Sequence, residues 1–248
     1  GGLALFNGTR EGDPALLSLV QAQSTVRARP AARAPEMRFE RLSAGRTVLI
    51  VDAGPPPARG QDRFAHAGTL AFEMSVGRDR LIVNCGAAPA ATTAWRDALR
   101  ATAAHSTLVI ADVNSSELKE HGLGRRPEQV VVQRHEANGA HWLDASHDGW
   151  KKPFNAIHRR RLYLGDTGED VRGEDSIEAP HPQPFAIRFH LHPSVSASLQ
   201  QDGAGVLLRT PTAGGWVLRA DGARLALEES VYAGTDERRR TQQVVLTG

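Results

Sequence analysis

The sequence predicts an all-β fold, an antiparallel β-sandwich or super-sandwich with a short helical stub at its N-terminus. Three observations predict it. From Met37 to the C-terminus, short segments alternate apolar and polar residues with period two. Turn-forming pairs bound these segments, among them Asn138-Gly139, Gly214-Gly215 and Asp221-Gly222. The helical period, by contrast, is confined to a stretch before Thr25 and one near Thr93, and no repeat of fixed length runs through the chain.

Each element follows from local chemistry. Leu3-Ala4-Leu5-Phe6 is an apolar segment closed by the turn Asn7-Gly8. Asp13-Pro14 opens a helix, with Asp13 as N-cap and Pro14 at the first helical position. Leu16, Leu17, Leu19 and Val20 supply its apolar face. A lone helix cannot bury such a face, so it is expected to pack on helices preceding Gly1. The chain begins Gly-Gly rather than Met and reads as a fragment. Arg27 to Pro35, rich in Ala, Arg and Pro, reads as a linker, which divides the chain into residues 1–35 and 36–248. Strands are expected at Met37 to Leu42 and Thr47 to Asp52, then at Leu70 to Val76 and Arg80 to Cys85 as a hairpin around Gly77-Arg78. Thr107 to Ala111 follows, then Gln129 to His135 and His141 to Ser146 around Asn138-Gly139. Ile157 to Leu164, Phe185 to His192, Gly205 to Thr210, Gly215 to Ala220, Arg224 to Tyr232 and Thr241 to Leu246 complete the set. One short helix over Thr93 to Arg100 would turn Trp95, Ala98 and Leu99 inward.

Composition narrows the function. The net charge is +2 with both signs mixed along the chain, which argues against a nucleic-acid partner. The single cysteine, Cys85, rules out an intrachain disulfide and reads as a buried small hydrophobe. No apolar run reaches the ~20 residues of a membrane span, and no signal peptide is present. There is no Gly-rich phosphate loop before a helix, no Gly-x-Ser-x-Gly elbow and no pair of carboxylates placed for glycoside hydrolysis.

The chemistry-bearing residues gather in one region. His66 is expected, exposed, where a loop enters a strand. Asn84 ends the return strand of the following hairpin, and His105 opens the next strand. This order brings two imidazoles and a side-chain oxygen to one rim of a sheet, where they either hold a metal or shape a cleft. Neutral imidazole is a common zinc ligand, but Asn offers only a carbonyl oxygen, so the set is weak for zinc. His190 and His192 share one face of their strand, either as a second ligand pair or as a polar outer face over Phe189 and Leu191. In His158-Arg159-Arg160-Arg161, Arg159 and Arg161 lie on one side and His158 and Arg160 on the other. One side either binds an anionic sugar or pairs with Asp170, Glu174 and Asp175. His121, His135, His141, His147 and His181 are expected in loops or on polar faces.

Taken together, Asp52-Ala53-Gly54-Pro55-Pro56, the block from His66 to Gly86, Thr102 to Thr107, His158 to Leu162, Arg172-Gly173-Glu174-Asp175 and Phe189-His190-Leu191-His192-Pro193 resemble the C-terminal β-domain of the heparinase II/III-like polysaccharide lyases. The resemblance spans roughly Met37 to Gly248, and the N-terminal helix is similar to the last piece of that family's helical toroid. It implies β-elimination on a uronic-acid polymer in a cleft between toroid and β-domain, a site on the cell envelope or in the periplasm, and a fragment that is inactive without its toroid. In that family the toroid supplies Asn, His and Tyr, while the β-domain adds a His-x-His-x-Asp motif and often a metal site from His, Asp and His. Here Phe64 stands at the first His and His66 at the second. Gly68 replaces the Asp, Asn84 stands where an acidic ligand is usual, and His105 matches the later His. Trp95 falls where some members carry Tyr. The resemblance thus implies His66, Asn84 and His105 as a cleft-side set for zinc or another divalent metal, with Arg100 and Arg159 as contacts for an anionic polysaccharide. The departures admit an alternative, a non-catalytic glycan-binding or envelope-assembly protein on the same scaffold.

Overall fold

The computed structural model describes residues 4–25, 31, 33–34, 38–88, 92–200 and 203–248. Most of the expected linker lies outside the described residues. Within it, Arg33–Ala34 pairs with Phe39–Ala44.

Among the described residues the strands form one large antiparallel sheet and three smaller ones. The large sheet runs in the order Arg33–Ala34, Phe39–Ala44, Thr47–Asp52, Phe72–Val76, Asp79–Val83, Phe185–Leu191, Arg239–Thr247 and Arg224–Tyr232, with Leu108–Ile110 also paired to Phe185–Leu191. A four-stranded sheet is ordered Val171–Glu178, Ala156–Leu164, Ala140–Trp150 and Val130–Ala137. Ser196–Leu199, Gly205–Thr210 and Gly214–Arg219 form a third sheet.

The core sits between these layers. Leu143, Leu162 and Leu164 of the four-stranded sheet meet Leu42, Leu49, Phe72, Met74, Ile187 and Val244 of the large one, and Val206 and Leu208 close the third side. Period two sends alternate residues of the same strands to the opposite face. Val109, Ala186 and Val245 form a cluster there, as do Cys85, Leu99, Ala104 and Ala233. The strand Phe185–Leu191 is therefore covered on both faces. For this reason His190 is buried, rather than lying on a polar outer face. Its Nε2–H donates to the Ala103 carbonyl at 2.9 Å, and its Nδ1 lies 2.7 Å from Ser230 Oγ. Burial pushes the neighbouring Cys85 thiol up to about 12, so it is an inert part of the core.

The N-terminal stub divides in two. Its helix spans Pro14–Gln23, and the Asp13 side chain accepts from the Ala15 N–H at 2.8 Å. Leu16, Leu19 and Val20 are exposed. The segment before the helix belongs to the β-domain. Leu5 and Phe6 are buried, Phe6 meets the ring of Phe39 at 5.0 Å, and the Glu11 N–H donates to the Gly234 carbonyl. The helix Thr93–Arg100 forms as expected, but it turns Leu99 and Arg100 inward. Trp95 stays exposed, with the Arg238 guanidinium 4.3 Å over its ring.

Candidate functional site

His66 lies in a loop before Phe72–Val76, and side chains satisfy the backbone of that loop. The Ala67 carbonyl accepts from the hydroxyls of Thr102 and Ser115, at 2.8 and 3.1 Å. The Ala65 carbonyl accepts from Arg100 Nε at 3.0 Å, and the Ala67 N–H donates to the Arg100 carbonyl. The Asn7 side chain accepts from the His66 N–H, so the N-terminal turn forms part of the site. His105 follows a single 3₁₀ turn, Thr102–Ala104, which sets its ring over Gly68.

The two imidazoles meet, with His66 Nδ1 and His105 Nε2 3.1 Å apart. Their protons can be assigned in order. His105 Nδ1 lies 2.8 Å from the Ala101 carbonyl, which can only accept, so Nδ1 carries the hydrogen. His105 Nε2 is then an acceptor, and His66 Nδ1–H donates to it. His66 Nε2 is left as a bare lone pair beside Gly8. Both rings are nearly buried, at 6% and 2% exposure. Burial holds His66 well below the usual imidazole value, helped by the nearby His105 and Arg100, and brings His105 down to about 4. Both rings are neutral at physiological pH. The sequence-level picture of an exposed His66 at a strand start gives way to a ring enclosed by its own loop and the Asn7-Gly8 turn. The exposed group at this rim is Phe64, 64% accessible, with the Arg63 guanidinium 5.3 Å from its ring centre.

Asn84 does not face this opening. It is fully buried, and its Oδ1 accepts from the Ser106 N–H at 2.8 Å while its own N–H donates to Glu73 Oε1 at 3.0 Å. It locks the end of Asp79–Val83 to the His105 segment. The three residues do not make a metal site as they stand: the Asn84 oxygen is taken by the Ser106 N–H, and two imidazoles alone fall short of the three or four ligands that zinc collects. No group of three or more His, Cys, Asp or Glu side chains placed to hold a metal occurs among the described residues. Gly68, where an acid was expected, sits so close that a Cβ there would lie 2.6 Å from the His105 ring.

The two arginines part company. Arg100 is buried, and its guanidinium donates to the carbonyls of Ala65, Lys119 and Gly122. Arg159 lies on the outer face of the four-stranded sheet, clamped on both oxygens of Asp144. Sequence reasoning missed a second buried chain. His147, expected on a polar face, is buried, and His147 Nε2 lies 3.3 Å from His158 Nδ1. His158 Nε2–H donates to Asp175 Oδ1 at 2.6 Å, and Arg160 pairs with both Asp175 oxygens. Arg160 Nη1 also donates to the carbonyls of Leu70 and Ser106, which fixes the loops on either side of the histidine pair. The inward placement of His158 and Arg160 on one strand face was the available signal.

A family model described as heparinase II/III-like, C-terminal, matches residues 26–248. The chain belongs to this heparinase II/III-like C-terminal family. FtsZ-localized protein C of Caulobacter vibrioides is 35% identical over 99% of this chain, and the chain spans 46% of that protein. Among solved structures, a heparinase III gene product aligns at a TM-score of 0.77 and 15% identity, covering 100% of this chain and 40% of that one. A mutant of the heparan sulfate lyase HepC from Pedobacter heparinus aligns at 0.77 and 14% identity, covering 100% and 41%. These structural likenesses show the fold. In this heparinase II/III-like domain the His105 ring is turned onto His66.

Proposed function

We propose that this chain is the β-half of a heparinase II/III-type polysaccharide lyase, acting by β-elimination on a uronic-acid-containing anionic polysaccharide at the periplasmic or envelope side of the cell. The reading is supported by one observation above others. His105 fixes the tautomer of His66 so that Nε2 is a permanent acceptor at the Asn7-Gly8 rim. In β-elimination a base takes the proton at C5, charge spreads into the carboxylate, and the C4 oxygen leaves with a proton. An imidazole held this far below neutrality is a weak base, so His66 is assigned to accept a sugar hydroxyl and orient the ring. Phe64 offers an apolar surface and Arg63 a cation at the same rim. The base and the acid come from the helical half that the chain does not span.

A second reading, glycan binding or envelope assembly without chemistry, is favoured by Phe64 and Gly68 in place of the family's His and Asp. A relative named for its localization with FtsZ also favours it. The full-length protein decides between them on a panel of uronic-acid polysaccharides, read by the ultraviolet absorbance of the new C4–C5 double bond. Product formation that His66→Ala slows mainly through KM is expected. Saturable binding with a flat trace selects the second reading, and neither binding nor product ends both.

A further inference from the structure

The outer face of the four-stranded sheet carries a feature that the histidine site does not use. Strand register sets His135, Trp142, Tyr163 and Arg172 in one transverse row across all four strands. The His135 and Trp142 ring centres are 5.4 Å apart and those of Trp142 and Tyr163 5.1 Å, with the Arg172 guanidinium 5.4 Å from the Tyr163 centre. The next row is Gln133, Asp144, Arg161 and Glu174. Between the two rows lies a hollow of 620 Å³. Trp142 is 38% exposed, a large apolar ring left in solvent on a sheet whose other face is core.

We propose that this face is a binding platform for an uncharged polysaccharide chain, separate from the His66 site. Strands in a sheet are spaced about 4.8 Å apart, close to the length of one pyranose unit, so successive rings of the row meet successive sugars. Aromatic rings take the apolar C–H face of a sugar, while the neighbouring Gln133, Asp144 and Arg161 offer donors and acceptors to its hydroxyls. The charges decide the class of glycan. Arg159 is clamped on Asp144, Arg161 contacts Asp144 and Glu174, and Arg172 is held by Asp170. With each of these cations already paired to a carboxylate, the surface is locally neutral, and a polyanion finds no free positive charge on it. The platform and the histidine pair lie on opposite sides of the sheet. Arg160, between Arg159 and Arg161, points inward to the Ser106 carbonyl.

The test titrates the full chain with cellohexaose, chitohexaose and heparan sulfate, read by tryptophan fluorescence and calorimetry. Expected is saturable binding of an uncharged hexasaccharide, insensitive to salt. It is weakened about tenfold or more by Trp142→Ala, largely kept by Trp142→Tyr, and unchanged by His66→Ala. Circular dichroism confirms that each variant is folded. The proposal is overturned if neither uncharged sugar binds, if Trp142→Ala leaves binding intact, or if His66→Ala removes it. Binding of heparan sulfate alone with steep salt dependence also overturns it. So does self-association that Trp142→Ala abolishes, which would make a second copy the occupant.

Discussion

At the scale of single residues, the histidine pair is a hydrogen-bond relay whose direction is set by one backbone carbonyl. Ala101 fixes His105, and His105 fixes His66. Nitrogen NMR of the His66 ring should therefore report an unprotonated Nε2 at neutral pH and a titration midpoint well below 6.5, because burial disfavours the charged ring. A midpoint at or above 6.5 contradicts the assignment. Gly68 is the steric counterpart. Gly68→Ala drives a Cβ into a ring held at both nitrogens, and denaturant unfolding should show a loss of about 1–3 kcal/mol. Asn84→Ala strands the buried Ser106 N–H and should cost about 1–3 kcal/mol by the same measurement.

At the scale of elements, the strands and loops bury five histidines, and all five are lowered: His66, His147 and His158, with His105 at about 4 and His190 at about 3. The fold keeps these rings neutral while the unfolded chain takes up protons below about 6.5. Their stabilisation is complete above that pH and is lost as the pH falls toward the folded values, by up to about 1.4 kcal/mol per pH unit for each ring. Two carboxyls, a half-buried Asp52 and a buried Glu73, work in the opposite sense. Asp52 is raised to about 7 and Glu73 is also raised, so the fold gains protons there as the pH drops. Five groups outweigh two, and calorimetry should find Tm falling between pH 7 and pH 5. A flat or rising Tm contradicts this balance. The hairpin at Asn138-Gly139 carries the left-handed backbone its two-residue turn requires, with φ of 51° and 79°.

At the scale of the whole molecule, the β-domain reaches back to Leu5. Glu73 Oε1 accepts from the Leu5 N–H, and Glu11 meets both Arg80 and the Tyr232 hydroxyl. Deleting residues 1–13 removes the buried Leu5 and Phe6 side chains and these partners. It should cost about 3 kcal/mol or more. Replacing the exposed Leu16, Leu19 and Val20 by Gln should change the stability of this chain by no more than about 0.5 kcal/mol each. Thermal melting of both variants separates the two halves of the stub. Dialysis against a chelator should leave Tm unchanged, since Asn84 is committed to Ser106 and two imidazoles alone are too few ligands for zinc.

The all-β class, the hairpins at Gly77 and Asn138-Gly139, the short helix over Thr93–Arg100 and the opposed faces of His158 to Arg161 were legible in the sequence, because each depends on period, turn chemistry or spacing within a few residues. The pairing of the His66 and His105 segments was legible too, through motif resemblance. What only the tertiary structure decided was every property set by a distant partner. Asn84 is a strut because Ser106 folds onto it. Arg100 is a loop brace because carbonyls from the His66 loop and from the hairpin that pairs Lys119 with Gly122 converge on it. His147 and His190 are buried because their strands are covered by layers far away in the chain. Local pattern fixes which face a side chain takes. Whether that face meets solvent, a hydrogen-bond partner or another sheet is settled only when the layers close.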